Sequence, residues 1–244
     1  MTNVPPSLAD IAGPKTFIDA DISFRIPEGM HSLGLDLSPE DRAEHIRHVA
    51  DEVWAAGTDY QRETTAQIYS EVADSAAEDG ALYAGVAFLA LDDGQPASAS
   101  LVVRAEATDK TDADVVAHGI VEGLSAQPGK EAYRTTAAGR PVAVVFSVVG
   151  AALDDEDTST LDAVAAPVLP VATAEAYVPL PQISQLVVLG ISTPTLEIFP
   201  DLVALLSGIT ETLEVGATSA DGASDDSRRA PGAVAPRPSR ISEL

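Results

Sequence analysis

Apolar residues recur at two different periods along this chain, and the change of period divides it. Between Asp21 and Pro27, Ile22, Phe24 and Ile26 alternate with polar neighbours, which predicts a short strand stopped by Pro27 and Gly29. Ser38 followed by Pro39 and Asp41 has the composition of an N-cap with Pro at the first helical position. Ile46, Val49, Ala50, Val53 and Trp54 then recur at helical spacing, predicting a helix from Pro39 to Ala56. A second helical pattern runs from Tyr60 to Glu78, with Ala66, Tyr69, Val72, Ala73 and Ala76 on its inner side, and Gly80 ends it. The two helices, within 39–79, are expected to form a hairpin that elaborates the domain.

From Ala81 the period falls to two. Leu82 to Leu91, a turn at Asp92, Asp93 and Gly94, and Ala97 to Ala107 predict an antiparallel hairpin. Thr111, with Asp114 three residues later, is expected to cap a short helix from Asp112 to Leu124, ended by Gln127, Pro128 and Gly129. Glu131 to Ala138 and Pro141 to Leu153 predict a second hairpin around Ala138, Gly139 and Arg140, followed by an acidic loop from Asp154 to Asp162. Val168 to Leu180 and Ser184 to Ser192 predict a third, with Pro179 and Pro181 marking a turn or an edge. A closing helix from Thr195 to Thr212 presents Leu196, Phe199, Leu202, Val203, Leu205, Leu206 and Ile209.

Strands in hairpins with helices before, between and after them predict an α+β domain over 17–215. Its antiparallel sheet is expected to carry helices mostly on one face. Residues 1–16 read as a flexible N-terminus. From Gly216 to Leu244 the chain lacks apolar periodicity and is expected to be a disordered tail.

Composition narrows the function classes. Cysteine is absent, which excludes a disulfide framework, a thiolate metal site and a lipid-modified cysteine. Met1 to Thr16 has no basic stretch followed by an apolar run, so no signal peptide is read there, and the expected location is cytoplasmic. The longest apolar run, Val142 to Leu153, is about half of the ~20 residues a membrane span requires, and reads as a buried strand. Net charge is −24; the tail carries four acidic and four basic side chains, leaving 34 carboxylates against 10 basic groups on the rest. Such a surface disfavours nucleic acid and anionic lipid.

The order of elements carries a family resemblance. A strand spelled Ser23, Phe24, Arg25, Ile26, Pro27, Glu28, Gly29, a Gly139, Arg140, Pro141 hairpin, and a strand from Gln185 to Thr193 running through Pro194 into a closing helix form the pattern. Together they resemble the Mog1/PsbP-like α/β/α sandwich of actinobacterial type, some of whose members are encoded with type VII secretion genes. The resemblance covers Asp21 to Val215 and implies a binding or assembly module rather than an enzyme. Lipoprotein members carry a signal and a modified cysteine, and this sequence has neither.

Candidate chemistry is sparse. Asp41, His45, His48 and Glu52 share one stripe of the first helix, and two histidines with a carboxylate suit a divalent metal. Their spacing of three fails the helical zinc-protease pattern, and a solvated face of i,i+4 pairs such as Glu44 with His48 accounts for them. Asp154 to Asp157 lacks the alternating ligands and central Gly of a calcium loop. Ser147, Ser184, Ser192 and Thr193 sit in no nucleophile elbow, and His118 reads as a helix-surface residue. Gly-rich phosphate loops are absent.

Trp54, the sole tryptophan, reads either as an interface anchor or as packing of the helical hairpin on the sheet. Tyr177, Val178, Pro179, Leu180 and Pro181 read as an edge that accepts a partner strand or as a proline-blunted one; Tyr177, Val178 and Leu180 join Trp54 as candidate interface residues. The reading that follows is a non-enzymatic accessory protein that binds another protein, linked to type VII secretion, with no cofactor, no metal and no membrane span. The alternatives are a metal-assisted hydrolase on the His45 and His48 face, and a structural homo-oligomer subunit.

Overall fold

Sixty-six residues in seven strands converge on one large sheet only because distant strands pair. The computed structural model describes residues 15–19, 22–91, 95–152 and 168–216. Ten strands and four helices follow in the order β1 (Lys15–Asp19), β2 (Ile22–Arg25), β3 (Met30–Ser32), α1 (Pro39–Val53), α2 (Asp59–Glu78), β4 (Tyr83–Ala90), β5 (Pro96–Ala107), α3 (Ala113–Ser125), β6 (Lys130–Ala137), β7 (Arg140–Ala152), β8 (Val168–Leu180), β9 (Gln185–Thr193), α4 (Phe199–Glu211) and β10 (Glu214–Val215). Seven strands form an antiparallel sheet ordered β3-β4-β5-β9-β8-β7-β6, and β1-β2-β10 form a small second sheet. The α+β architecture and its hairpins follow the apolar periodicity, while β1, β3 and β10 have no counterpart in it. Strand β1 also takes in Lys15 and Thr16 from the segment read as a flexible lead.

The sheet divides its side chains between two layers. On one face, Leu101 and Val103 of β5, Leu189 and Ile191 of β9 and Ala174, Ala176 and Val178 of β8 pack with Leu202, Leu206 and Ile209 of α4 and with Ile22 and Phe24 of the small sheet. Phe24 meets Tyr83 edge to face, ring centres 5.7 Å apart. On the other face, Ala84 and Val86 of β4 pack against Ile46, Val49, Tyr69 and Ala73 of the helical hairpin. Helix α3 covers β6 and β7 on that side, where Arg134 of β6 pairs with Asp114 of α3 at 3.5 Å. Three helices thus share one face and α4 covers the other.

Local chemistry sets the element ends. Ser38 caps α1, its hydroxyl accepting from the Asp41 N–H, and Thr58 with Gln61 forms a full capping box on α2. Helix α1 ends at Val53, short of the expected Ala56. Gly80, at φ 72°, closes α2 as its N–H reaches Ala77 and that of Ala81 reaches Ala76, the paired bonds of a Schellman ending. The cap of α3 is Asp112, not the expected Thr111: its carboxylate accepts from the N–H groups of Asp114 and Val115. A charged acceptor there bonds two free donors and favours the positive helix end. The β6–β7 turn holds two residues, not three. Ala138 and Gly139 at φ 48° and 76° form the mirror-image turn that matches strand twist.

Strand β8 lies between β7 and β9, so the expected edge around Tyr177 to Pro181 is corrected to a short one-sided stretch, Val178 to Leu180, which pairs with β9 alone. The strand pairs with β9 along its C-terminal half and with β7 from Val168 to Tyr177. Continuing the β7 register would set Pro141 opposite Pro179, where neither residue has an N–H to give, so that ladder stops. The edges of the sheet are β3 and β6. The expected turn at Asp92 to Gly94, the acidic loop and the tail from 217 lie outside the described residues.

Candidate functional site

An open apolar cleft of about 250 Å³ lies between the β6, β7 and β8 end of the sheet and α4. Pairing of Tyr133 with Val144 and Thr135 with Val142 puts these four side chains on the face that α4 covers. Val142, Val144, Phe146 and Ala176 form the floor. The far wall is the helical stripe Val203, Leu206, Ser207 and Thr210, at i, i+3, i+4 and i+7. Thr210 turns its hydroxyl away, donating to the Leu206 carbonyl at 2.7 Å, so the wall stays apolar. Tyr133, Phe146 and Phe199 make an aromatic row, with ring centres 6.0 and 6.2 Å apart. Tyr133, Val148 and Leu196 remain exposed near it.

The polar groups of the cleft are hydroxyls: Tyr133, Thr135, Thr136 and Ser207. The Tyr133 hydroxyl donates to Glu131 at 2.8 Å, and that bond, with the carboxylate's charge, holds its pKa above the ordinary phenol value. No carboxylate or imidazole lines the cleft. The arrangement can hold an apolar group, with the Glu131 carboxylate at its rim engaged by the Tyr133 hydroxyl.

The residues singled out by sequence are scattered. Trp54 lies on Phe88 of β4, ring centres 5.1 Å apart, and its indole N–H donates to the Thr65 hydroxyl at 2.7 Å. Val178 and Leu180 are 1 % and 0 % exposed, so in this fold they are core side chains and not contact residues. Tyr177 is half-buried on the face opposite α4. There its hydroxyl donates to Glu175 at 2.9 Å, and Arg104 reaches the same carboxylate at 3.4 Å. Burial, then the Glu175 charge, raises the Tyr177 pKa.

The helix stripe does not converge either. The His45 ring bonds the Ser32 carbonyl at 2.8 Å, Asp41 meets the Ser38 hydroxyl, and His48 faces Glu52 at 3.3 Å, with His31 on the other oxygen of Glu52 at 3.6 Å. Among the described residues no group of three metal-ligating side chains is arranged around a common point. Thr193 is buried, donating to the Ser98 carbonyl, and Ser192 meets the Thr173 hydroxyl at 3.0 Å. Ser184 occupies the left-handed turn position between β8 and β9.

No family model matches the sequence, and no curated protein matches it. Among solved structures the chain is similar to LpqN of Mycobacterium tuberculosis, described as involved in cell envelope biogenesis. Identity is 12 %, the match covers 55 % of this chain and 72 % of that one, and the TM-score is 0.32. At that score the likeness carries no argument for this chain. No helix among the described residues is long and apolar enough to cross a membrane.

Proposed function

We propose that this chain is a non-enzymatic accessory protein that binds another protein through the cleft face of β6, β7, β8 and α4. The observation that carries the reading is an open apolar cleft flanked by exposed Tyr133, Val148 and Leu196 and lined by no acid, base or thiol. Exposed apolar surface rimmed by polar groups is characteristic of a contact site. The order of strands and closing helix that resembles Mog1/PsbP-like sandwiches of actinobacterial type supports an accessory role, with type VII secretion as the setting. Cytoplasmic residence belongs to the same proposal, and cell fractionation tests it.

A photo-crosslinking residue at position 133 tests the surface, with Tyr60, 77 % exposed on α2, as the comparison position. One discrete heterologous adduct from position 133, absent from position 60, is the expected result in the cells that make the protein. Adducts of equal yield from both positions, or none from 133, would overturn it.

A further inference from the structure

We infer that the partner is engaged as an extended strand added to the β6 edge, with one bulky apolar side chain in the cleft and basic residues beside it. The inference rests on the protein-binding reading above and specifies its mode.

Edge geometry supplies the first argument. In a two-residue hairpin the closing pair, Ala137 and Arg140, exchanges both main-chain bonds, and bonded and non-bonded pairs then alternate. The main-chain groups of Ala132, Arg134 and Thr136 therefore point away from β7. Among the described residues they meet no backbone partner, whereas Lys130 is held by Gln127. Such a row accepts a strand, and side-chain pockets beside it give the added strand its specificity. The opposite edge, β3, is three residues long and offers no comparable row.

Size decides what the cleft takes. Its volume of about 250 Å³ falls below the ~300–1,000 Å³ of pockets that enclose small molecules. A single large aliphatic or aromatic side chain suits it, entering past Tyr133 and Thr135. Charge selects the neighbours of that anchor. On α4 the acidic residue beside the cleft stripe is Glu211, four after Ser207, since Asp201 stands on the opposite side of the helix from Val203. Arg134 of β6 points to the α3 face and pairs there with Asp114, and Arg140 of β7, on the cleft side, is engaged by the Leu213 carbonyl. On the cleft side of β6 the one charged residue is Glu131. An acidic rim favours lysine or arginine beside the anchor.

The test pans a phage-displayed library of random dodecapeptides against the immobilised full chain and two variants. Ala132→Pro removes an outward N–H without touching the β6–β7 ladder, and Val203→Trp fills the cleft from the helix surface; circular dichroism checks that both fold. If a variant unfolds, Arg134→Pro or Ser207→Trp replaces it. Enriched peptides should share one large apolar residue with Lys or Arg nearby and no Pro between. Their affinity should fall at least tenfold in each variant and decline with added salt. Binding that survives Ala132→Pro but not Val203→Trp would overturn strand addition while leaving the cleft as the contact site. Peptides that bind both variants as tightly as the unaltered chain would overturn the cleft as well. A dimer seen by light scattering and abolished by Ala132→Pro would also overturn the inference, because a second copy would then occupy the edge.

Discussion

Replacing Trp54 by alanine separates the two roles that a lone tryptophan can have. Its ring rests on Phe88 at 5.1 Å, and its N–H donates to Thr65, a residue of α2. One side chain thus ties the end of α1 to α2 and to the sheet. An aromatic pair contributes about 0.5–1.5 kcal/mol beyond burial, and a neutral hydrogen bond about 1 kcal/mol. Partial burial of the ring adds to these, so Trp54→Ala should cost about 2–3 kcal/mol. For a chain of this size each kcal/mol lowers Tm by about 2–4 °C, which places the expected drop near 4–12 °C. Trp54→Phe keeps the ring contact and should cost about 1 kcal/mol. Far-UV circular dichroism melts of the three proteins measure both differences. An unchanged Tm in Trp54→Ala would refute the packing argument and return Trp54 to the role of a binding anchor.

Ala138 holds φ 48°, a conformation that costs an L-residue about 1–2 kcal/mol, so Ala138→Asn should raise Tm by a few degrees in the same assay. A Cβ on Gly85 would stand 2.5 Å from the Tyr83 hydroxyl, so Gly85→Ala should destabilise and Tyr83→Phe should partly rescue it in a double-mutant cycle. The Tyr83 hydroxyl is buried with no partner, and Tyr83→Phe alone should be neutral or stabilise by about 1 kcal/mol in urea titrations. Burial raises the pKa of Tyr83 and Tyr177 above the ordinary 10.0. The native chain then keeps protons that the unfolded chain loses, so stability is fully present below pH 10 and falls as pH rises beyond it. Tyr83→Phe should flatten that alkaline loss, and an unaltered slope would refute the assignment.

Local pattern explains most of the elements and little of their arrangement. The apolar run that begins at Val142 and the helical spacing from Pro39 to Val53 are properties of neighbouring residues, and β7 and α1 keep them. Strand order is different, because β9 pairs with β5 across a separation of some eighty residues and so encloses β8 between β9 and β7. Nothing near Tyr177 signals that enclosure, and its two prolines read naturally as an edge. The cleft was similarly hidden: Tyr133 and Thr135 sit two apart on β6, Val203 and Ser207 four apart on α4, and only tertiary packing sets them face to face. Their one local signal is an apolar stripe on α4 wide enough to serve both the core and a second surface. The His45 and His48 stripe shows the converse, since residues sharing a helix face are drawn apart by the Ser32 carbonyl and Glu52.

The central claim is that the cleft face is where a protein partner binds. Quantitative affinity capture from native cells, comparing the unaltered chain with Val203→Trp at matched thermal stability, tests it most directly. The account predicts that a stoichiometric partner recovered with the unaltered chain is lost from Val203→Trp and retained by Tyr60→Ala on the distant helix. Equal recovery of that partner by Val203→Trp would contradict it.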